Sequence, residues 1–457
     1  MRAMSYLYRP NKTAMTKKTL AIAFLVFAIN VTGYGQNVNK ARLDSFFNVL
    51  GANNKQMGSI AISASGKLVY QNAIGYSAVS GDNKTAATIK TKYRIGSVTK
   101  MFTGTMIFQL FEEKKLTLET PLSTWFPQIP NASKITIGEM LSHRSGLHNF
   151  TDDPLYKTYM AKPQTEAAML AIIQNSKPDF EPDLKASYSN TNFVLLGYII
   201  EKITGHPYAD ELKTRIVSKI GLTDTYYGGK TNSADNEAYS FVNNGNWQQQ
   251  PETDMSVPGG AGAIVSTPTD LVKFIEALFG GKLVSQSSLD KMQTIRENYG
   301  MAMLTIPFND KTSYGHGGSI DSFLSMVSYF PEDKMAVAYI SNGAVYAPND
   351  VMIGVLSIYF NEPFVIPSFK TATLKTQDLD KYLGEYSSTQ LPLKITVSKN
   401  GNTLLAQATG QSQISLSAAD TDKFVFTPAG ITMIFNPAKG EFTLLQGGQN
   451  YLFTKIK

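Results

Sequence analysis

The feature that most restricts how this chain can fold is a change of texture between residues 362 and 380. Upstream, helical and strand periods are mixed; downstream, the pattern is almost wholly strand and turn. Before the change, Ile60–Ser63 and Leu68–Tyr70 flank a Ser65-Gly66 turn and read as a hairpin. Ser322–Phe330 and Met335–Ser341 form another around Pro331-Glu332-Asp333. Within Ser97–Leu116, Met101, Phe102, Met106, Ile107, Leu110 and Phe111 recur at a helical period. Thr136 with Glu139 predicts a capping box before Met140 and Leu141. Thr267, Pro268 and Asp270 predict the start of a helix through Leu278, and Asp350–Phe360 closes the region as an apolar helix. After Pro363, Pro367 and the polar stretch Lys370–Asp380, strands are predicted at Leu393–Val397, Thr403–Ala406, Lys423–Thr427, Ile431–Phe435, Glu441–Leu445 and Tyr451–Ile456. Their close spacing, punctuated by Asn400-Gly401, Gly430, Asn436-Pro437 and Gly440, suits a small antiparallel barrel or sandwich. No repeat at solenoid spacing occurs.

Charge sharpens the division. The chain of 457 residues carries a formal charge of +6, which invites a nucleic-acid reading. Arg2, Arg9, Lys12, Lys17 and Lys18 are, however, the only charged residues before Lys40. Lys17-Lys18, the apolar run Leu20–Ile29 and small residues at Gly33 and Gly35 have the three parts of an export signal. That run is about half the ~20 residues a membrane-spanning helix needs, so a cleaved leader is expected rather than an anchor. Without it the charge falls from +6 by five to +1, with no basic block left for a phosphate backbone or a membrane surface. The expected organisation is a signal peptide over 1–35, a mixed domain over 36–365 and a β-domain over 366–457. The product is expected to be exported, periplasmic or secreted, with no stable membrane span and no nucleic-acid partner. A composition of 43% hydrophobic and 17% charged residues excludes a disordered chain. With no Cys, disulfides, thiolate metal sites and a Cys nucleophile are also excluded.

The chemistry has to come from elsewhere. There is no GxSxG elbow, HExxH pair or phosphate-binding loop, and His143, His148, His206 and His316 are scattered, so no metal or other cofactor is expected. Ser97-Val98-Thr99-Lys100 opens the apolar helix, directly after Gly96. Three residues apart, the serine and lysine share one helix face. A serine at a helix start gains a backbone N–H and a positive dipole end, and a buried, partly neutral lysine could accept its proton. The spacing alone is weak, because Ser288–Lys291 repeats it in a polar segment. Order adds weight: Tyr188-Ser189-Asn190 follows Ser97 by 91 residues, and His316-Gly317-Gly318 follows Tyr188 by 128. YxN recurs at Tyr70–Asn72 and Tyr359–Asn361, but only the middle copy lies between the serine and the glycine-rich strand.

This ordered set resembles the class C β-lactamase-like serine hydrolases, a superfamily that includes DD-carboxypeptidases, D-aminopeptidases and esterases. Leu141–Leu147 and Gly259–Gly262 with Ser266–Asp270 are similar to further family segments, and the likeness covers about residues 40–360. The resemblance implies an α+β fold, a β-lactamase/transpeptidase-like antiparallel sheet flanked by helices. The C-terminal segment resembles the lipocalin-like barrels appended to some members. It also implies that Ser97 forms an acyl-enzyme, that Lys100 and Tyr188 share the proton relay, and that Asn190 holds a substrate amide. The backbone N–H groups of Ser97 and Ser319 would form the oxyanion hole, and Gly317 and Gly318 would let substrate approach closely. A tyrosine beside an ammonium is expected to have a lowered pKa. Where class C β-lactamases have Lys-Thr-Gly, this chain has His316-Gly317-Gly318. Losing that fixed cation lowers the expectation for β-lactam hydrolysis and favours small-molecule or peptide substrates with amide or ester bonds.

Other readings compete. His143 is expected to be structural, His148 and His206 to lie on the surface, and Tyr226 and Tyr227, Met101 and Met106 to be packing residues. The alternatives to a D-amino-acid-related peptidase or esterase are a β-lactamase proper and a penicillin-binding or scaffold protein that acylates without turnover. The β-domain could bind ligand, shape the cleft or drive homo-oligomerisation. The pocket walls are expected from loops around 150–180 and 230–256.

Overall fold

A computed structural model of the chain describes residues 38–369, 374–426, 429–446 and 449–456. The leader expected over 1–35 lies outside them, as do Lys370–Ala372, Thr373 and Thr427. Helix α1 (Lys40–Ala52) leads into the hairpin β1 (Gln56–Ala64) and β2 (Lys67–Ile74), which turns at Ser65-Gly66. The chain then supplies α2 (Thr99–Glu112), α3 (Ile137–Leu141), α4 (Asn190–Thr204) and α5 (Pro268–Phe279). It returns to the sheet as β3 (Leu304–Phe308), β4 (Lys311–Ile320), β5 (Phe323–Phe330) and β6 (Met335–Ala344), and closes with α6 (Pro348–Tyr359). The six strands pair antiparallel in the order β3-β4-β5-β6-β1-β2. The first and last strands of the fold therefore meet at its centre, where β1 lies between β6 and β2.

Strand alternation assigns the two sheet faces. Ile60 and Ile62 of β1 join Leu43, Phe46 and Phe47 of α1 and Val351 and Val355 of α6 in one buried layer. Ala61, with Ala336 and Ala338 of β6, faces the other layer, where Leu271 and Phe274 of α5 pack. Alanine on that face lets α5 sit close to the sheet. α2 is sandwiched deeper: every residue from Thr99 to Leu110 is buried, so the helix has no polar face to present to water. It is also shorter than the predicted Ser97–Leu116, because Gly96–Val98 forms a 3₁₀ turn ahead of it. Local signals are realised where side chains close backbone orphans. Thr136 and Glu139 form the reciprocal capping box of α3, and Thr267 accepts the Asp270 N–H at the start of α5.

Beyond α6, eight antiparallel strands close into a barrel: β7 (Gly384–Ser387), β8 (Lys394–Asn400), β9 (Thr403–Ala408), β10 (Ile414–Asp420), β11 (Lys423–Phe426), β12 (Ile431–Asn436), β13 (Glu441–Gln446) and β14 (Gln449–Lys455). An eight-stranded barrel is just wide enough to be filled by side chains or to hold one small ligand. Here Tyr382, Tyr386, Phe424, Phe435, Phe442 and Phe453 fill it with their own rings. Its interior is therefore a packed core. Among the described residues, no helix is long and apolar enough to cross a membrane.

Candidate active site

The site forms where the start of α2 meets the middle of β4. Gly96 has φ of +49°, and a Cβ there would lie 2.8–2.9 Å from the Ser319 backbone. A Cβ on Gly318 would lie 2.1 Å from the Ile95 carbonyl oxygen and 3.1 Å from the Ser97 nitrogen. Both glycines are thus required by backbone meeting backbone, and the contact brings Ser319 alongside Ser97. Ser325 of β5 donates to the Ile95 carbonyl at 2.7 Å and holds the same turn against the sheet.

Around Ser97 the polar groups converge. Tyr188 O–H donates to Ser97 Oγ at 2.6 Å, and Lys100 Nζ lies 3.0 Å from the same oxygen. Lys100 Nζ also reaches Asn190 Oδ1 at 2.7 Å and the Ala261 carbonyl at 2.8 Å. Those last two oxygens can only accept. A neutral amine has two N–H bonds to give them, which leaves its lone pair for the Ser97 hydroxyl proton. The Ala261 carbonyl is delivered by Gly259–Ala261, a 3₁₀ turn. A Cβ on Gly260 would lie 2.6 Å from the Phe193 carbonyl, so only glycine lets the turn wedge against α4.

Burial sets the protonation states. Lys100 is fully buried, and desolvation lowers its pKa well below the lysine range. Burial pushes the Tyr188 phenol up, against a smaller opposing effect of its bond to Ser97. The expected lowering of Tyr188 by a neighbouring ammonium is therefore corrected: burial raises it, and the resting tyrosine is a phenol. His316 is also buried, and desolvation, with Lys100 second, lowers it to about 4. Its Nδ1 lies 2.5 Å from the Gly317 carbonyl, a contact that requires the proton on Nδ1. His316 is therefore neutral at neutral pH and carries no fixed positive charge.

Ser97, Tyr188, Asn190, His316, Gly317, Gly318 and Ser319 line one cavity of about 640 Å³, with Lys100 beneath Ser97. The loop expected around 150–180 reaches the cavity through Thr151, while Asn149 and the apolar walls were not foreseen. Asn149 and Thr151 line it and also hold Asn190: Asn149 accepts its backbone N–H at 3.0 Å, and Thr151 accepts from its Nδ2 at 3.1 Å. Leu304, Met326, Pro348 and Met352 add apolar surface. The walls expected from residues 230–256 are not among the lining residues. Glu252 and Thr253 instead bind buried Arg94, which also pairs with Asp321 at 3.0 Å.

His143 stands just outside this constellation. Its ring centroid lies 4.5 Å from that of Tyr188, and its Nδ1 accepts the Ser189 N–H at 3.2 Å. Burial first, and the neighbouring Lys100 and His316 next, hold it well below the usual histidine range. It packs the back of Tyr188 and has no contact with Ser97 that would make it a base. The segment before Tyr188 is fixed by Arg144, which pairs with Asp183 at 2.5 Å and Glu297 at 2.9 Å, while Glu297 accepts the Ala186 N–H. His148 is half-buried and paired with Asp179 at 2.8 Å, and His206 is exposed. Tyr226 and Tyr227 are partly buried, and Met101 and Met106 are core.

Comparison with known proteins places this geometry. The family model described as beta-lactamase matches residues 47–354. A penicillin-binding protein of Bacillus subtilis is 24% identical over 446 residues, spanning 90% of this chain and 98% of the relative. The teichoic acid D-alanine hydrolase of Staphylococcus aureus is 30% identical over 230 residues, 50% of this chain and 55% of that protein. Among solved structures, the D-amino acid amidase of Ochrobactrum anthropi superposes with a TM-score of 0.63 at 28% identity, covering 70% of this chain and 98% of the amidase. The chain belongs to the β-lactamase family of serine hydrolases.

Proposed function

We propose that this chain is an exported hydrolase of amide or ester bonds next to a D-amino acid, working through an acyl enzyme on Ser97. The observation that carries the reading is the chain of hydrogen bonds from Tyr188 O–H to Ser97 Oγ and from Ser97 to Lys100 in one cavity. Neutral Lys100 takes the Ser97 proton as Oγ attacks the substrate carbonyl carbon. The oxyanion then forms against the adjoining backbone of Ser97 and Ser319. The new ammonium lies 4.9 Å from the Tyr188 ring centroid and stabilises phenolate as Tyr188 gives its proton to the leaving amine or alcohol. Water then attacks the acyl carbon, losing a proton to Tyr188, while Oγ regains its own from Lys100. The enzyme returns to its starting state.

Two features support the substrate class. Neutral His316 offers no fixed cation for a β-lactam carboxylate, so β-lactams acylate poorly on this reading. The amidase and the D-alanine hydrolase among the relatives act on D-amino-acid amides or D-alanine, by their names. Export is supported by Lys17-Lys18 and the apolar run after them. The test is to treat the full chain and Ser97→Ala with a fluorophosphonate, read intact mass, and then measure turnover of D- and L-phenylalanine amide. One adduct on the wild type only, with faster D-amide turnover, is expected. An undiminished adduct on Ser97→Ala would overturn the assignment of the nucleophile. A stable adduct without turnover of any amide or ester would favour a non-turnover penicillin-binding protein.

A further inference from the structure

Helix α6 lines two cavities. Pro348 and Met352, four residues apart, face the Ser97 pocket. Asp350, Ile353 and Ser357 face a second cavity of about 260 Å³, closed by the segment 363–369 and by β11–β14 of the barrel. Its walls are mainly apolar, with the Tyr346, Phe364 and Phe369 rings on one side and Val425 and Ile431 on the other. Two charges interrupt them: Asp350 from α6 and Lys423 from β11.

Asp350 could be no more than an acid suited to the first turn of a helix. Its surroundings say more. The carboxylate makes no hydrogen bond or ion pair among the described residues, and burial raises its pKa. A Cβ on Gly430 would lie 2.7 Å from Asp350 Oδ2, so the barrel loop leaves room for the carboxylate only because it has glycine there. Lys423 likewise has no ion-pair partner among the described residues. A half-buried anion, a cation and aromatic rings around one small space describe a complement: a positive group, a negative group and an apolar body. Such a cavity, near the lower end of the about 300–1,000 Å³ usual for ligand sites, suits a small occupant.

We propose that this junction cavity binds an apolar α-amino acid, with its ammonium on Asp350, its carboxylate on Lys423 and its side chain against Phe364 and Phe369. An amino acid is also what the proposed reaction releases, but the site is argued from its own walls and does not depend on chemistry at Ser97.

Calorimetry with the full chain tests this, using D- and L-phenylalanine as probes, with glycine and phenethylamine beside them. Saturable binding of at least one phenylalanine enantiomer is expected, weakened about tenfold or more by Asp350→Asn and by Lys423→Met, which each remove one charge-assisted contact. Thr151→Val, in the Ser97 pocket, should leave this binding unchanged. Glycine should bind more weakly, and phenethylamine more weakly still and without regard to Lys423→Met. A rise in the wild-type melting temperature with phenylalanine gives a reading that needs no variant. The proposal is overturned if neither enantiomer saturates or shifts the melting temperature. It is equally overturned if Thr151→Val weakens the binding while both junction variants retain the wild-type affinity. Because no turnover is read, failure here leaves the assignment of Ser97 untouched, and the converse also holds.

Discussion

Acidification should weaken the hydrolase domain in a way that His316→Gln largely removes. His316 is buried, and its pKa falls from the ordinary 6.5 to about 4 in the folded chain. Between those values the unfolded chain binds a proton at this side chain and the folded chain does not. Stability therefore rises with pH across that window and is lost as pH falls through it. Linkage gives a loss of about 2 kcal/mol between about pH 7.5 and pH 5, approaching about 3 kcal/mol below both pKa values. His143 contributes with the same sign, and because His316 is one of the groups that lower it, the difference between the two proteins reports His316 together with its effect on His143. The assay is urea unfolding followed by tryptophan fluorescence at the two pH values. Trp125 and Trp247, the two tryptophans of the chain, both precede the barrel and so report on the hydrolase domain. Equal losses of stability in wild type and His316→Gln would refute the claim that His316 is held neutral by burial.

Further outcomes follow from the same geometry. Tyr188→Phe removes the donor 2.6 Å from Ser97 Oγ and should lower turnover by about 10²–10⁴-fold, read as kcat on an amide the wild type cleaves. The rate at which a fluorophosphonate labels Ser97 should rise with pH as Lys100 loses its proton, with a midpoint below the ordinary lysine value of 10.5; a midpoint at that value would contradict a desolvated base. Gly318→Ala sets a methyl 2.1 Å from the Ile95 carbonyl oxygen, so it should push β4 away from Ser97, cost about 1–3 kcal/mol of stability and suppress labelling. Thr151→Val deprives Asn190 Nδ2 of its acceptor and should raise KM by up to about tenfold with little change in kcat, a loss of about 1 kcal/mol.

Much of the site was legible because its parts are local or ordered. Ser97 and Lys100 are three residues apart at a helix start, and that spacing alone puts them on one face. The Thr136 and Thr267 caps were readable for the same reason: a side chain and the backbone it satisfies are neighbours in sequence. Asn149 was not, and Thr151 was foreseen only as part of a loop around 150–180, since a single Asn or Thr in a loop carries no pattern until tertiary packing sets it against Asn190. Met352 lies in the helix expected over Asp350–Phe360, but nothing in an apolar run tells which of its residues face a pocket. Glycine could be seen at 259–262 but not its purpose, because the wedge against Phe193 depends on a residue far away in the chain. In the barrel, β7 is only Gly384–Ser387, and β10 is rich in Ser and Ala with a bulge between Ala418 and Asp420, so neither shows clean alternation. The direction of the Tyr188 shift is not legible, because the depth of burial that sets it has no signature in the sequence.

The two faces of α6 also bear on how this protein can change. A helix of twelve residues supplies Met352 to one pocket and Ile353 to the other, so adjacent positions of one rigid rod shape two different cavities. Enlarging Met352 to exclude a bulky substrate would press on the sheet and tilt the rod, altering the second pocket without touching its residues. Libraries that diversify the helix one position at a time would therefore confound the two pockets. Pairing each change at Pro348 or Met352 with a compensating change at Ile353 or Ser357 samples the accessible sequences more efficiently.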